Sequence, residues 1–241
     1  MFNTTRIIWG IAMLIAVIFI ALIDQFLINF IVFAILLYLA FNEAKKLFAL
    51  ENVSIIPLAI AFIIGTLSDK ALLFGILALL LVVGYLVYKK SSLKPSLIYL
   101  YPSLPILALW QVYLDQGMFA LFWLIVIAIA CDSGAYFIGK LIGKTPFSQT
   151  SPNKTLEGVI GGLVCASFIG TLLGLFVYGF WFSLFCSFCV AFLAVIGDLL
   201  ESYFKREVGV KDSADIIPGH GGVLDRIDAV IIAAFAMVAL L

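Results

Sequence analysis

Charged side chains are scarce in this sequence. Asp, Glu, Lys and Arg make up 12% of its 241 residues, and histidine occurs once. Hydrophobic residues make up 65% of the chain, which excludes a soluble globular domain. The formal net charge is zero at pH 7, so the chain lacks the basic field that attracts a nucleic acid. We therefore expect no nucleic acid among its partners.

Three further patterns are missing. No segment repeats with a period of about 20–50 residues, which argues against a solenoid. The first apolar run follows Arg6 without a small-residue cleavage pattern, so we predict a retained helix rather than a removed signal peptide. Cys186 and Cys189 have the spacing of a metal or redox pair, but the sequence around them holds no second pair and no histidine. We interpret all four cysteines as packing residues.

Long apolar runs, in contrast, are abundant. A helix of about 20 residues crosses the ~30 Å hydrocarbon core of a bilayer, and these runs do not alternate as the strands of a barrel do. We therefore predict an all-α fold, a polytopic integral membrane helical bundle with about nine transmembrane helices. The predicted spans are about 7–23, 26–42, 53–67, 71–88, 95–113, 117–138, 157–178, 181–200 and 223–241.

The basic residues predict how these helices are oriented. With nine spans, 13 of the 14 Lys and Arg lie on one side of the membrane, and only Lys70 lies on the other. Loops rich in Lys and Arg stay in the cytoplasm. We therefore predict a protein of the inner (cytoplasmic) membrane whose N-terminus and active site are cytoplasmic.

Polar residues divide the chain into two predicted regions. Residues 1–115 form about five spans joined by short loops, and their few acids lie at helix ends except Glu43. Residues 116–241 form about four spans, with long cytoplasmic loops at about 139–156 and 201–222. We predict that this second region is the catalytic one.

Small residues recur at every fourth position of the seventh span. They are Gly158, Gly162, Ala166, Gly170 and Gly174. Small side chains let helix backbones approach closely inside a membrane. This stripe fits packing within one chain or a seam between two copies, and the sequence leaves both open.

Charge is concentrated near the C-terminus. Nine of the 28 charged residues, and the histidine, lie between Lys205 and Asp228. Ionisable groups at the margin of a bilayer are costly, so such a cluster indicates a functional site. Asp198 and Ser202 are four residues apart on one helical face, and Asp225 and Asp228 are three apart on the next helix. Asp198 and Asp225 would face one another if the intervening loop folds back as a hairpin.

These residue types suit a divalent cation and a polyphosphate. Mg²⁺ prefers one or two carboxylates and completes its shell with water and phosphate oxygens. Phosphoryl and nucleotidyl transfer depend mainly on positioning and on neutralising charge, which metals, Lys and Arg supply. Glycines around His220 would let backbone N–H groups approach phosphates closely.

The same residues also have structural interpretations. Asp198 could form a salt bridge with Lys205, and Asp225, Arg226 and Asp228 could form an ion-pair network at the interface. A lone histidine such as His220 is more often a hydrogen-bonding loop residue than a ligand or a base. The sequence alone leaves these alternatives open.

A second polar group begins at Asp132, inside the sixth span. A carboxylate at this depth should face the bundle interior or a water-filled cavity. The segment 139–144 is similar to a phosphate-binding loop, but it lacks the full spacing and a preceding strand, so we reject that interpretation. Ser151 and Pro152 could cap the seventh helix, which is compatible with substrate contact by Lys154.

The two groups together resemble the signature of the phosphatidate cytidylyltransferases (CDP-diacylglycerol synthases). The first pattern is Asp132…Ala135-Tyr136…Gly139…Gly143-Lys144…Ser151-Pro152-x-Lys154-Thr155-x-Glu157-Gly158. The second is Ser202-x-x-Lys205-Arg206…Lys211-Asp212…Pro218-x-His220-Gly221-Gly222-Val223-x-Asp225-Arg226-Ile227-Asp228. The resemblance covers about residues 130–228 in detail, and the first 115 residues match only as helical membrane spans.

The resemblance implies a specific activity. CTP and phosphatidic acid would give CDP-diacylglycerol and pyrophosphate, with Mg²⁺ as cofactor and K⁺ as a second metal, in a homodimer within the lipid bilayer. The metal ligands it implies are Asp198, Asp225 and Asp228. The catalytic residues it implies are Asp198, Asp225, Lys205 and Arg206. The residues expected to bind substrate are Asp132, Lys154, Ser202, Lys211, His220, Gly221, Gly222 and Arg226.

Other functions fit part of the sequence. A CTP-dependent lipid kinase of the polyprenol type would use similar metal chemistry but move the γ-phosphoryl group, giving CDP and a phospholipid. A transporter that relays protons through Asp132 and Asp198 would need no nucleotide, and it leaves the basic cytoplasmic loop unexplained. A non-catalytic scaffold explains still less.

Overall fold

The computed structural model describes residues 4–214, 216 and 221–241. Within these ranges the regular structure is helical, and Pro146 and Thr155 form an isolated antiparallel bridge. The prediction of an all-α fold is therefore confirmed.

Nine α-helices follow one another along the described chain. They are α1 (Thr4–Ile23), α2 (Phe26–Leu47), α3 (Ile56–Leu67), α4 (Ala71–Tyr88), α5 (Ser96–Ile98), α6 (Leu104–Ile142), α7 (Leu156–Gly174), α8 (Phe180–Glu207) and α9 (Leu224–Leu240). The short α5 is followed by Tyr99–Ser103, in which the extended backbone of Tyr101 (φ −138°, ψ +125°) makes a kink before α6.

Several of these helices are long and apolar enough to cross a membrane. Among the described residues, five meet both criteria, and two shorter apolar helices cover Ile8–Ile23 and Ile56–Leu67. The five are Phe26–Leu47, Ala71–Tyr88, Ser96–Ile142, Leu156–Gly174 and Phe180–Glu207. The chain is thus a helical membrane protein, while the count of nine spans stays a prediction.

Gly117 interrupts the longest helical stretch. Its backbone has φ +73° within α6, a left-handed conformation that glycine adopts without a steric penalty. The sequence predicts separate spans at 95–113 and 117–138, and the interruption falls where the second of these begins. Gly117 therefore divides a stretch that is too long for a single membrane crossing.

The chain divides into two compact units. One comprises residues 1–114 with 208–226, and the other comprises residues 115–207 with 227–241. We refer to them as the first and the second unit. The predicted assignment of catalysis to residues 116–241 stays a prediction.

An aromatic cluster forms the core of the first unit. The indole ring of Trp110 lies 4.8 Å from the ring of Phe33, 5.8 Å from that of Phe62 and 5.0 Å from that of Tyr113, between centroids. Its Nε1–H donates a 2.8 Å hydrogen bond to the Thr66 hydroxyl. A buried Trp with its N–H satisfied provides a large apolar contact without leaving a polar atom unpaired.

The glycine stripe of α7 packs inside the second unit. A Cβ atom on Gly162 would lie 2.5 Å from the carbonyl oxygen of Cys131 on α6, and one on Gly170 would lie 2.5 Å from the hydroxyl of Ser187 on α8. All five residues of the stripe are buried. The interpretation as packing within one chain is therefore confirmed.

Candidate active site

The last turns of α8 carry four of the predicted site residues, Asp198, Ser202, Lys205 and Arg206. The sequence predicts a loop from about 201, but α8 continues to Glu207, so this boundary was wrong. The ammonium of Lys205 lies 3.1 Å from the carboxylate of Glu201, four residues earlier, and such pairs stabilise a helix beyond its apolar stretch. With 28 residues, α8 is about 42 Å long, longer than the ~30 Å core of a bilayer.

A close crossing of α8 and α9 lies beside Asp198. A Cβ atom on Gly197 would overlap the carbonyl oxygen of Asp228 and lie 3.1 Å from the Cα atom of Ala229. Glycine at this position thus lets the two backbones meet. The crossing places Asp228, which is 9% exposed, next to the face of α8 that bears Asp198 and Glu201.

Lys154 forms an ion pair with Asp198. Both side chains are about a quarter exposed, at 23% and 24%. The sequence analysis left open a pair between Asp198 and Lys205, whereas in the structure Asp198 pairs with Lys154 and Lys205 pairs with Glu201. The ion pair therefore brings the loop before α7 against the C-terminal part of α8.

Asp132 lies beside this ion pair. Its carboxylate on α6 interacts electrostatically with Lys154, Asp198 and Asp228. Three aspartates that are far apart in the sequence thus interact with one another, and Lys154 interacts with two of them. Like charges near one another are unfavourable unless cations balance them, so the group is suited to attract positive charge.

The loop that carries Lys154 is held by its own hydrogen bonds. The backbone N–H of Phe147 donates to the Lys154 carbonyl at 2.9 Å. The carboxylate of Glu157 accepts from the N–H of Lys144 at 3.0 Å and from the hydroxyl of Thr145 at 2.8 Å. These bonds restrain both sides of the loop near the start of α7.

Thr155 caps α7. Its hydroxyl accepts a hydrogen bond from the N–H of Gly158 at 3.2 Å, which satisfies one of the free N–H groups of the first turn. The suggestion that Ser151 and Pro152 cap this helix was wrong, because α7 begins only at Leu156.

Ser213 and Gly222 donate hydrogen bonds to Asp225 in the first unit. The Oδ2 atom of Asp225 accepts from the N–H of Ser213 at 2.9 Å, from the hydroxyl of Ser213 at 3.0 Å and from the N–H of Gly222 at 2.8 Å. Gly221 has φ +81°, a conformation that favours glycine. The glycines therefore have a structural role here, and their predicted contact with phosphate stays a prediction.

Glu43 is a functional candidate that the sequence analysis did not identify. It is 1% exposed and accepts hydrogen bonds from the N–H groups of Val223 and Leu224. One feature of the sequence could have identified Glu43. It is an acid within a mostly apolar helix, whereas the other acids of this region lie at helix ends. Its partners lie about 180 residues away, so the local pattern could not identify them.

The remaining predicted residues occupy varied positions. Arg206 is exposed on α8, and its Nε donates a long 3.4 Å hydrogen bond to the carbonyl of Thr150. Ser202 is half-buried, while Lys211 and Arg226 are exposed. His220 lies outside the described residues.

The chemistry of the donor set fits Mg²⁺. Within the described ranges, no three His, Cys, Asp or Glu side chains are arranged to hold a metal ion. Mg²⁺ does not require such a cage, because it binds through one or two carboxylates, water and phosphate oxygens. The assignment of Asp198, Asp225 and Asp228 as ligands stays a prediction.

Comparisons with known proteins identify the family of this chain. A family model described as "Cytidylyltransferase family" matches residues 4–241. The phosphatidate cytidylyltransferase of Helicobacter pylori strain 26695 is 39% identical over 242 residues, covering 98% of this chain and 91% of that protein. That of Haemophilus influenzae is 47% identical over 125 residues, covering 47% of this chain and 42% of that protein. The resemblance in the two sequence patterns is thereby confirmed, and the chain belongs to the cytidylyltransferase family.

Proposed function

We propose that this protein transfers a cytidylyl group from CTP to phosphatidic acid, giving CDP-diacylglycerol and pyrophosphate. The observation that carries the proposal is the ion pair of Lys154 with Asp198, bordered by Asp132 and Asp228. This ion pair lies toward the C-terminal end of α8, a helix that is longer than the core of a bilayer. A lipid head group and a nucleotide can meet there. The relatives named phosphatidate cytidylyltransferase support the choice of substrates.

The reaction forms one bond and breaks one. An oxygen of the phosphatidic acid phosphate attacks the α-phosphorus of CTP, and the bond from that phosphorus to the β-phosphate oxygen breaks. Pyrophosphate leaves with the electron pair of this bond. A phosphate monoester has a second pKa of about 6, so it is largely ionised near neutral pH and needs little help from a general base.

Basic side chains bind and orient the triphosphate. Lys154 is a flexible point charge that can leave Asp198 and contact a phosphate oxygen when CTP enters. Lys205 and Arg206, about two turns beyond Asp198 on α8, neutralise the charge that develops on the leaving pyrophosphate. Their fixed positions on one helix reduce the reorganisation that the reaction requires.

Carboxylates hold the cation. We assign Asp198, Asp225 and Asp228 as the residues that bind Mg²⁺, with K⁺ as a second metal. Mg²⁺, when bound, adds positive charge to the triphosphate and lowers the cost of charge build-up at the attacked phosphorus. The proposal includes a homodimer in the inner membrane, with the N-terminus and the active site in the cytoplasm, as the positions of Lys and Arg indicate.

The fate of two differently labelled phosphates tests the proposal. Purified protein is incubated with phosphatidic acid, Mg²⁺ and CTP labelled at either the α- or the γ-phosphate. We expect the α-label in the lipid and the γ-label in pyrophosphate. Lipid that carries the γ-label would instead indicate a kinase and would overturn the assignment.

A further inference from the structure

We propose that Glu43 is a positioning residue for the reaction, which fixes the backbone around Asp225 from a distant helix. The proposal rests on the proposed function, because it takes Asp225 as a metal ligand. Glu43 lies on α2, and its partners lie in the loop before α9 and at the start of that helix.

The carboxylate of Glu43 is buried and lies within hydrogen-bonding distance of three donors. Oε1 accepts from the N–H of Val223 at 2.7 Å, and Oε2 accepts from the N–H of Leu224 at 2.8 Å and from the hydroxyl of Ser213 at 3.1 Å. The residue is 1% exposed. A carboxylate so far from water is costly unless it is hydrogen-bonded, so these three bonds define where the carboxylate and its partners lie.

The carboxylate of Glu43 reaches the start of α9, where a negative charge is electrostatically favourable. The first N–H groups of a helix have no partner within the helix, and the helix dipole favours negative charge there. A residue within the preceding loop usually supplies this cap. Here a side chain from α2 supplies it, so the start of α9 is tied to α2.

Ser213 links Glu43 to Asp225. Its hydroxyl lies 3.1 Å from Oε2 of Glu43 and 3.0 Å from Oδ2 of Asp225. A hydroxyl has one proton to donate, so it bonds to one carboxylate at a time. Its backbone N–H also donates to Asp225, at 2.9 Å. Removal of Glu43 therefore changes the hydrogen bonding of Asp225 through a single shared residue.

Gly222 makes this arrangement tight. A Cβ atom on Gly222 would overlap the hydroxyl of Ser213 and lie 2.7 Å from Oε2 of Glu43. The N–H of the same residue donates to Asp225 at 2.8 Å. The backbone of Gly222 thus binds Asp225 at a point where Glu43 and Ser213 leave no room for a side chain, which leaves little freedom for Asp225 to move while Glu43 is in place.

The substitution Glu43→Gln tests the role with little change in size. An amide has one acceptor oxygen instead of two, and it presents an NH₂ donor to a backbone N–H donor. One of the N–H groups of Val223 and Leu224 must then lose its partner. We expect these amides to exchange hydrogen at least about tenfold faster, and kcat to fall by at least about tenfold with a smaller change in KM for CTP, the size expected when one charged hydrogen bond is lost.

Thr66→Val is the matched control. Thr66 is also buried in the first unit and accepts the 2.8 Å hydrogen bond of Trp110. Its substitution removes buried hydrogen bonds without touching Glu43, Ser213 or Asp225. We expect it to lower the melting temperature at least as much as Glu43→Gln while kcat and the exchange at Val223 and Leu224 stay at the wild-type level.

Hydrogen–deuterium exchange of the protein without substrate, together with steady-state kinetics, decides the question. Unchanged exchange at Val223 and Leu224 in Glu43→Gln would overturn the anchoring contact. Faster exchange with wild-type kcat would overturn the positioning role. A wild-type protein that makes no CDP-diacylglycerol would overturn the proposed function and the positioning role with it, whereas the exchange comparison would still decide the anchoring contact.

Discussion

Gly197 and Asp228 meet so closely that a Cβ atom on the glycine would overlap the carbonyl oxygen of the aspartate. This contact brings the backbone of α9 against α8 at the turn that carries Asp198. The close crossing therefore determines how far Asp228 lies from Asp198 and Glu201. It is possible because Gly197 has no Cβ atom. The carboxylates of the second unit are arranged by helix packing rather than by a local sequence motif.

We predict that Gly197→Ala lowers both stability and activity. The added methyl group has to displace backbone, and such overpacking costs about 1–3 kcal/mol. The helices would separate, and Asp228 would move away from Asp198. Thermal unfolding in detergent and CDP-diacylglycerol formation should both show the loss.

Gly84→Ala in α4 is the control for this prediction. A Cβ atom there would meet nothing within 4 Å, and alanine stabilises a helix interior by roughly 0.5–1 kcal/mol relative to glycine. The variant should be at least as stable as the wild type and equally active. If the two alanine variants behaved alike, the account of the crossing would be wrong.

We predict that Lys154→Met weakens CTP use. The ammonium of Lys154 pairs with Asp198 in the free protein and is proposed to contact the triphosphate, so its loss should lower kcat/KM by about 10- to 100-fold, the range for one charged hydrogen bond. Lys89→Met is the control. Lys89 is exposed, far from Lys154 in the sequence and outside the second unit, so this variant should keep wild-type kinetics. Equal kinetics for the two variants would remove Lys154 from the site.

We predict that Glu157→Gln loosens the loop that carries Lys154. The carboxylate holds the N–H groups of Lys144 and Thr145 and the hydroxyl of Thr145, and an amide cannot accept all of these bonds with the same strength. Hydrogen exchange across residues 144–156 should be several-fold faster, and KM for CTP should rise several-fold. Unchanged exchange in this segment would show that the carboxylate does not restrain the loop.

Local sequence patterns predicted the helices and some of their interruptions. The apolar runs indicated membrane helices, and the gap between the runs at 95–113 and 117–138 coincides with the break at Gly117. The four-residue repeat from Gly158 to Gly174 indicated close packing, which the structure shows with α6 and α8. Periodicity and glycine conformation are properties of neighbouring residues, so a single sequence reveals them.

Long-range partners could not be predicted in the same way. The sequence offered Lys205 as a partner of Asp198, but the partner is Lys154, 44 positions earlier, because the loop before α7 folds against α8. The role of Glu43 depends on backbone N–H groups about 180 residues away. Such pairs depend on how helices pack, and nothing in the local pattern specifies that packing.

The metal assignment leads to a prediction about two aspartates. Asp198→Asn and Asp225→Asn keep the size of each side chain and an acceptor oxygen, but they remove the negative charge that is proposed to bind a cation. Both variants should insert into the membrane and fold, and neither should form CDP-diacylglycerol at a measurable rate. Asp69→Asn is the control, because Asp69 is exposed and has φ +54°, which asparagine tolerates.

Transfer of α-labelled cytidylyl from CTP to phosphatidic acid, measured over a range of Mg²⁺ concentrations, decides whether Asp198 and Asp225 hold the cation. We expect labelled lipid with the wild type and Asp69→Asn, and a loss of at least about 100-fold with Asp198→Asn and Asp225→Asn, since each removes a proposed charged ligand. Wild-type transfer by either of these two variants, with the same dependence on Mg²⁺, would contradict the claim that their carboxylates hold the cation.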